Sequence, residues 1–148
     1  MNEAHLAYLS LGSNIKPEIN LIKALQLLQQ HGKLEKISKA WESESVGAEG
    51  PNYLNACVLL STQLNHAGLK QQVLLPIELQ LGRIRTENRF APRPMDIDIV
   101  VFDGKSMDNR YWDQAFVMIP LAEIYPDFQN PIRHETVLET ATRLRSEF

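Results

Sequence analysis

Four arginines, Arg83, Arg85, Arg89 and Arg93, stand just ahead of a short apolar run that carries Asp96 and Asp98. An extended chain alternates its side chains between two faces. Asp96 and Asp98 are therefore expected on one face, and Ile97, Ile99 and Val101 on the other, in a core. Two carboxylates about 7 Å apart at their Cα atoms can converge on hard cations. Guanidinium groups fork onto phosphate oxygens. Together they have the chemistry of phosphoryl transfer from a nucleoside triphosphate. The same residues also fit a solvated strand face beside ordinary surface charge. Their adjacency, and the prolines Pro92 and Pro94 leading into the run, weigh toward phosphate and metal.

These groups need a frame. The chain has 148 residues, 44% hydrophobic and 22% charged, enough for one domain with a full core. Its net charge of −3 and pI near 5.8 argue against a general nucleic-acid surface. Positive charge is local to residues 83–93. Cys57 is the sole cysteine, so no internal disulfide and no thiolate zinc site is expected. The four histidines, His5, His31, His66 and His134, lack metal-ligand spacing and read as surface or packing residues. No apolar stretch approaches the ~20 residues of a membrane span and no leader is visible, so a cytoplasmic protein is expected.

Alternating apolar residues predict strands at His5–Leu11, Lys33–Ser43 (weakly, from Leu34, Ile37 and Trp41), Tyr53–Thr62 and Asp96–Phe102. Gly12, Ser13 and Asn14 read as the turn after the first strand. Helical spacing of Leu21, Ala24, Leu25 and Leu28 predicts a helix over Glu18–His31, stopped by Gly32. A second helix is expected from His66 to about Leu81, capped by Asn65 and kinked or divided at Pro76. Phe116–Pro120 is a further apolar run, and Glu135–Phe148 a terminal helix. This order predicts an α+β, ferredoxin-like βαββαβ sandwich. Its sheet is mostly antiparallel with helices packed on it, and a helical extension follows at the C-terminus.

In the third strand, Tyr53 and Asn55 share one face. An aromatic ring beside a carboxamide can stack on a flat heterocycle and read its amide-like edge. Plain packing explains such a pair equally well. Phe116, Trp41 and Trp112 also read as packing or loop cover, with Phe116 a second stacking face if it lies opposite Tyr53. Glycine in Val46-Gly47-Ala48 permits close backbone approach to a flat ligand, or makes a plain turn.

The motifs LSLGSN, WESESVG, PNYLNACV, IELQLGRIRTENRFAPRPMDIDIVVF and FVMIPLAEIYP occur in this order along nearly the whole chain. The chain thereby resembles the 6-hydroxymethyl-7,8-dihydropterin pyrophosphokinases of the folate pathway. The resemblance implies transfer of the β,γ-pyrophosphoryl group of ATP to the pterin hydroxymethyl oxygen, with release of AMP. It implies two Mg2+ ions, bound with ATP, on Asp96 and Asp98. Arg83 and Arg93 would clamp phosphate, helped by Arg85 and Arg89, and Phe90 would lie on a loop covering the site. Tyr53 and Phe116 would sandwich the pterin, with Asn55 on its edge and Gly12, Ser43, Val46 and Gly47 around it. Glu78 would lie near the nucleotide. A cytoplasmic monomer that binds ATP and a dihydropterin, and neither nucleic acid nor membrane, is the matching expectation.

The segment between the Asp-x-Asp strand and Phe116 departs from the family pattern. It is short, lacks a histidine, and has Gln114 where an arginine is usual; Arg110 and Tyr111 are the available replacements. A divergent paralogue, binding a pterin with weak activity or acting on another alcohol, is the competing reading. A ferredoxin-like RNA-binding module is disfavoured by the acidic pI and the lack of an aromatic-rich central strand.

Overall fold

The computed structural model describes residues 4–44, 51–82 and 94–146. The sheet is built on β1 (His5–Ser13) and β4 (Tyr53–Thr62), and β1 pairs with β4 along its whole length. β5 (Asp96–Phe102) lies on the other side of β1, and a two-residue β6 (Lys105–Ser106) follows it. β2 (Lys33–Ile37) and β3 (Trp41–Ser43) both pair with the outer edge of β4. The order is β2-β4-β1-β5-β6 and every pairing is antiparallel. This is the expected ferredoxin-like arrangement.

One sheet face carries Ala7, Leu9, Leu11, Val58, Leu60, Ile97 and Ile99. It is covered by α1 (Pro17–Gln29) through Leu21, Ala24 and Leu28, and by the 66–80 helical segment through Leu69, Val73, Leu74 and Ile77. Each such leucine or isoleucine contributes roughly 2–3 kcal/mol on full burial. The helical segment begins at His66, where Asn65 Oδ1 accepts the Gly68 N–H at 2.8 Å. It runs as α2 (His66–Leu69), a π-helical turn (Lys70–Leu74) and α3 (Leu75–Gln80). Pro76 therefore sits in the first turn of a new α-helix, where its missing N–H costs little. The widened turn before it is how the helix absorbs the proline.

The opposite face is covered by α4 (Ala115–Ile124) and α5 (Val137–Ser146), reached through a 3₁₀ turn at Asn109–Asp113. Met118, Leu121 and Trp112 are fully buried there against Cys57, Leu59 and Tyr8. The apolar run at Phe116–Pro120 is thus the first half of a helix.

Four local expectations are corrected. The strand expected over 33–43 is two strands, because the chain takes four residues from Ile37 to Trp41 against three from Val58 to Asn55 on β4. The extra residue bulges out, and the Ser38 hydroxyl accepts the Cys57 N–H at 2.9 Å. Gly12 and Ser13 are not in the turn; they continue β1 opposite Asn55 and Leu54. Gly32 does not cap α1, which ends at Gln29. Its role is contact, since a Cβ there would lie 2.3 Å from the Ser61 carbonyl oxygen. Val101 leaves the side of Ile97 and Ile99, because a register shift between Tyr8 and Leu9 turns it into the second core with Tyr8.

Candidate functional site

Register places the chemistry-bearing residues in rows across the sheet. Asp96 is opposite Gly12, Gly12 opposite Asn55, and Asn55 opposite Trp41. In the next row Asp98 is opposite Ser10, and Ser10 opposite Cys57. Asp96 and Asp98 are half-buried and share a face, as alternation requires. Two strand spacings, roughly 10 Å, separate Asp96 from Asn55, with only the bare Cα of Gly12 between.

At the N-terminal end of α4, this face opens into two cavities with a common wall at Phe116. One, of about 220 Å3, is lined by Trp41, Ser43, Asn55, Phe116 and Arg145 among others. The other, of about 410 Å3, is lined by Lys70, Glu78, Asp96, Asp98, Arg110 and Tyr111 among others. Tyr53 stands at the rim of the same face, where a Cβ on Gly12 would lie 3.7 Å from its Cδ1. The structure thus brings Gly12, Ser43, Tyr53, Asn55, Glu78, Asp96, Asp98 and Phe116 to one sheet face or its margins. Val46, Gly47, Arg83, Arg85, Arg89, Phe90 and Arg93 lie outside the described residues. Gly82 and Pro94, which flank the arginine-bearing residues in the sequence, lie close together. A Cβ on Gly82 would sit 3.9 Å from Pro94 Cγ, and Gly82 itself has a left-handed φ of 99°.

Glu78 has a role that sequence reasoning missed. It is 4% exposed and its Oε2 accepts the Ile97 N–H at 2.8 Å. Among the described residues β6 pairs only with Val101 and Phe102, and no strand pairs with β5 on that side at Ile97. The carboxylate serves there as a neighbouring strand's carbonyl would and fixes the stretch between Asp96 and Asp98. Glu78→Ala should cost about 1–3 kcal/mol in a urea melt and lower turnover. Glu78→Gln, which keeps an acceptor, should recover most of both.

Two more residues of the carboxylate cavity come from the short 103–115 segment. Arg110 grips Asp108 with two nitrogens, Nε to Oδ2 at 3.0 Å and Nη2 to Oδ2 at 2.7 Å. The hydrogen bonds to Asp108 raise its pKa first, and the field of Asp98 adds to that. Burial, then Asp98, pushes the Tyr111 phenol up, so it remains a neutral donor. Burial also raises the Cys57 thiol, which rests on the Val117 carbonyl and is no nucleophile. His5 and His66 pack around Phe102, at the far end of β5 from Asp96. Trp41, read as packing or loop cover, packs against the second core and also walls the smaller cavity: its Nε1 donates to Glu123, and Arg145 lies 5.2 Å over its ring.

The donor set suits a hard, oxygen-seeking cation. Among the described residues no third His, Cys, Asp or Glu completes a metal cage around the carboxylates. Two protein carboxylates with the remaining positions left to phosphate and water is the usual binding mode of Mg2+ with a nucleotide. Among the described residues no helix is long and apolar enough to cross a membrane.

Comparison with known proteins gives the same direction. Residues 8–126 match the family described as 7,8-dihydro-6-hydroxymethylpterin-pyrophosphokinase. The 2-amino-4-hydroxy-6-hydroxymethyldihydropteridine pyrophosphokinase of Synechocystis sp. is 33% identical, over 93% of this chain and 75% of that protein. The Bacillus subtilis protein of the same name is 37% identical, over 81% of this chain and 78% of its own length. The fold matches the Plasmodium falciparum HPPK-DHPS solved with pteroate, with a TM-score of 0.75 at 12% identity, covering 99% of this chain. The present chain spans 43% of that longer one. This protein belongs to the 7,8-dihydro-6-hydroxymethylpterin-pyrophosphokinase family.

Proposed function

We infer that this protein transfers the β,γ-pyrophosphoryl group of ATP to the hydroxymethyl group of 6-hydroxymethyl-7,8-dihydropterin, releasing AMP. The observation that carries the reading is the paired cavity. A carboxamide-lined pocket and a carboxylate-lined pocket share Phe116, and Gly12 is the bare floor between Asn55 and Asp96.

In this reading the pterin lies between Phe116 and Tyr53, with its edge on Asn55 and with Ser43, Val46 and Gly47 around it. Its hydroxymethyl group extends over Gly12 toward the aspartates. The triphosphate occupies the larger cavity. Asp96 and Asp98 would hold two Mg2+ ions there, which would supply neutralisation of phosphate charge and polarisation of the β-phosphorus. Arg83 and Arg93 fork onto phosphate oxygens, Arg85 and Arg89 assist, and Phe90 covers the nucleotide. Glu78 steadies the strand under the aspartates. The hydroxymethyl oxygen bonds to the β-phosphorus and releases its proton to water. The bond from that phosphorus to the α,β-bridging oxygen breaks, and AMP departs. The protein's part is alignment and charge compensation. The whole chain acts as one monomeric domain.

Arg110 and Tyr111 beside the aspartates favour an enzyme over a pterin binder that has lost its nucleotide side. With ATP and Mg2+, AMP should form only when the dihydropterin is added, with no ADP. Quenching of pterin fluorescence without AMP would instead establish the binder.

A further inference from the structure

The amide of Asn55 has a fixed orientation. Its Nδ2 lies 3.2 Å from the Trp41 carbonyl oxygen and 2.7 Å from Ser43 Oγ. A main-chain carbonyl can only accept, so the group facing it is the NH2. That group has two protons, and these two acceptors use both. Oδ1 points the other way, and a Cβ on Gly12 would lie 3.2 Å from it. Asn55 is 4% exposed, yet no buried side-chain oxygen or nitrogen among the described residues lacks a partner. Oδ1 therefore keeps access to the smaller cavity, which Asn55 and Ser43 both line.

We propose that Ser43 is a positioning residue for substrate selection. With the Trp41 carbonyl it occupies both amide protons of Asn55, so that Asn55 offers the cavity an acceptor only. The cavity then selects a heterocycle that presents an N–H donor at this point and rejects one that presents an acceptor. Gly12 is required because a side chain there would crowd the same oxygen. Without Ser43 one amide proton is unclaimed and is open to the cavity, so Asn55 offers a donor there as well and the selection relaxes. This rests on the pterin reading of the smaller cavity.

The test uses the full-length protein with Ser43→Ala, Ser43→Thr and Ser43→Cys. The dihydropterin is compared with an analogue whose 2-amino group is replaced by methyl. Loss of one neutral hydrogen bond corresponds to about a tenfold change. Ser43→Ala should raise the pterin KM about tenfold and narrow the preference for the dihydropterin over the analogue. The ATP KM and the melting temperature should hold. Ser43→Thr, which keeps the hydroxyl, should restore the pterin KM and the preference. Should the alanine variant fail to fold, Ser43→Cys keeps the size with a weaker acceptor and must show the same change. An unchanged pterin KM in Ser43→Ala, or no rescue by threonine, overturns the role of Ser43 while pterin-dependent AMP release leaves the function standing. A wild-type protein that binds no pterin overturns both.

Discussion

Replacing Asp96 or Asp98 by alanine should lower turnover about a hundredfold or more, the scale of removing a principal electrostatic stabiliser. Both carboxylates are half-buried at the end of β5 that faces the larger cavity. Neither belongs to the apolar clusters that hold the sheet. The melting temperature should therefore change little, as for substitutions outside a core. Like charges on one strand face also repel, and removing one relieves that. The expected signature is lost rate in a folded protein, with a raised Mg2+ requirement and pterin binding retained. Asn55 and Phe116, which serve the smaller cavity, are untouched. An unchanged rate in either variant would remove Asp96 and Asp98 from metal binding.

Trp112→Ala should have the largest effect on stability. Its side chain is fully buried, its ring stacks on Phe128 at 5.6 Å, and its Nε1 donates to Ser106 Oγ at 2.7 Å. Emptying such a site costs about 3–5 kcal/mol. For a chain of this size that is a fall of about 10–15 °C in melting temperature. Arg110 and Tyr111 lie on the same 3₁₀ turn that Trp112 anchors. Below the melting point, the variant should therefore show a raised ATP KM with pterin affinity close to normal. Trp112→Phe should recover most of the stability and lose only the bond to Ser106. A destabilised variant with an unaltered ATP KM would mean that Arg110 and Tyr111 do not serve the nucleotide.

The central strands were legible because alternation leaves a period-two record. In Asp96–Phe102 and Tyr53–Thr62 each face has its own chemistry, and the rows across Gly12 follow once the strands pair. Asn65 and Pro76 were legible for a similar reason, since capping and a missing N–H act within a few residues. Three kinds of feature left no local trace. Bulges depend on the partner strand, so neither the break at 38–40 nor the displacement of Val101 could be read along one segment. The Phe116–Pro120 run has no polar residue, which hides helical periodicity; the layer that gives the site its depth went unseen. Contacts between distant residues, such as Glu78 with Ile97 and Arg145 with Trp41, have no signature in either partner's neighbourhood. Segment 103–115 has no histidine, and Gln114 stands where the resemblance leads one to expect an arginine. Only the fold brings Arg110 and Tyr111 to the aspartates.

The central claim is that two phosphorus atoms move together. ATP labelled with 32P at the β position separates this outcome from every ordinary kinase reaction. Incubated with Mg2+, the dihydropterin and this protein, the label should travel with the pterin, and the nucleotide product should be unlabelled AMP. Label retained in ADP would mean that only the γ-phosphoryl group moves, and would contradict the account.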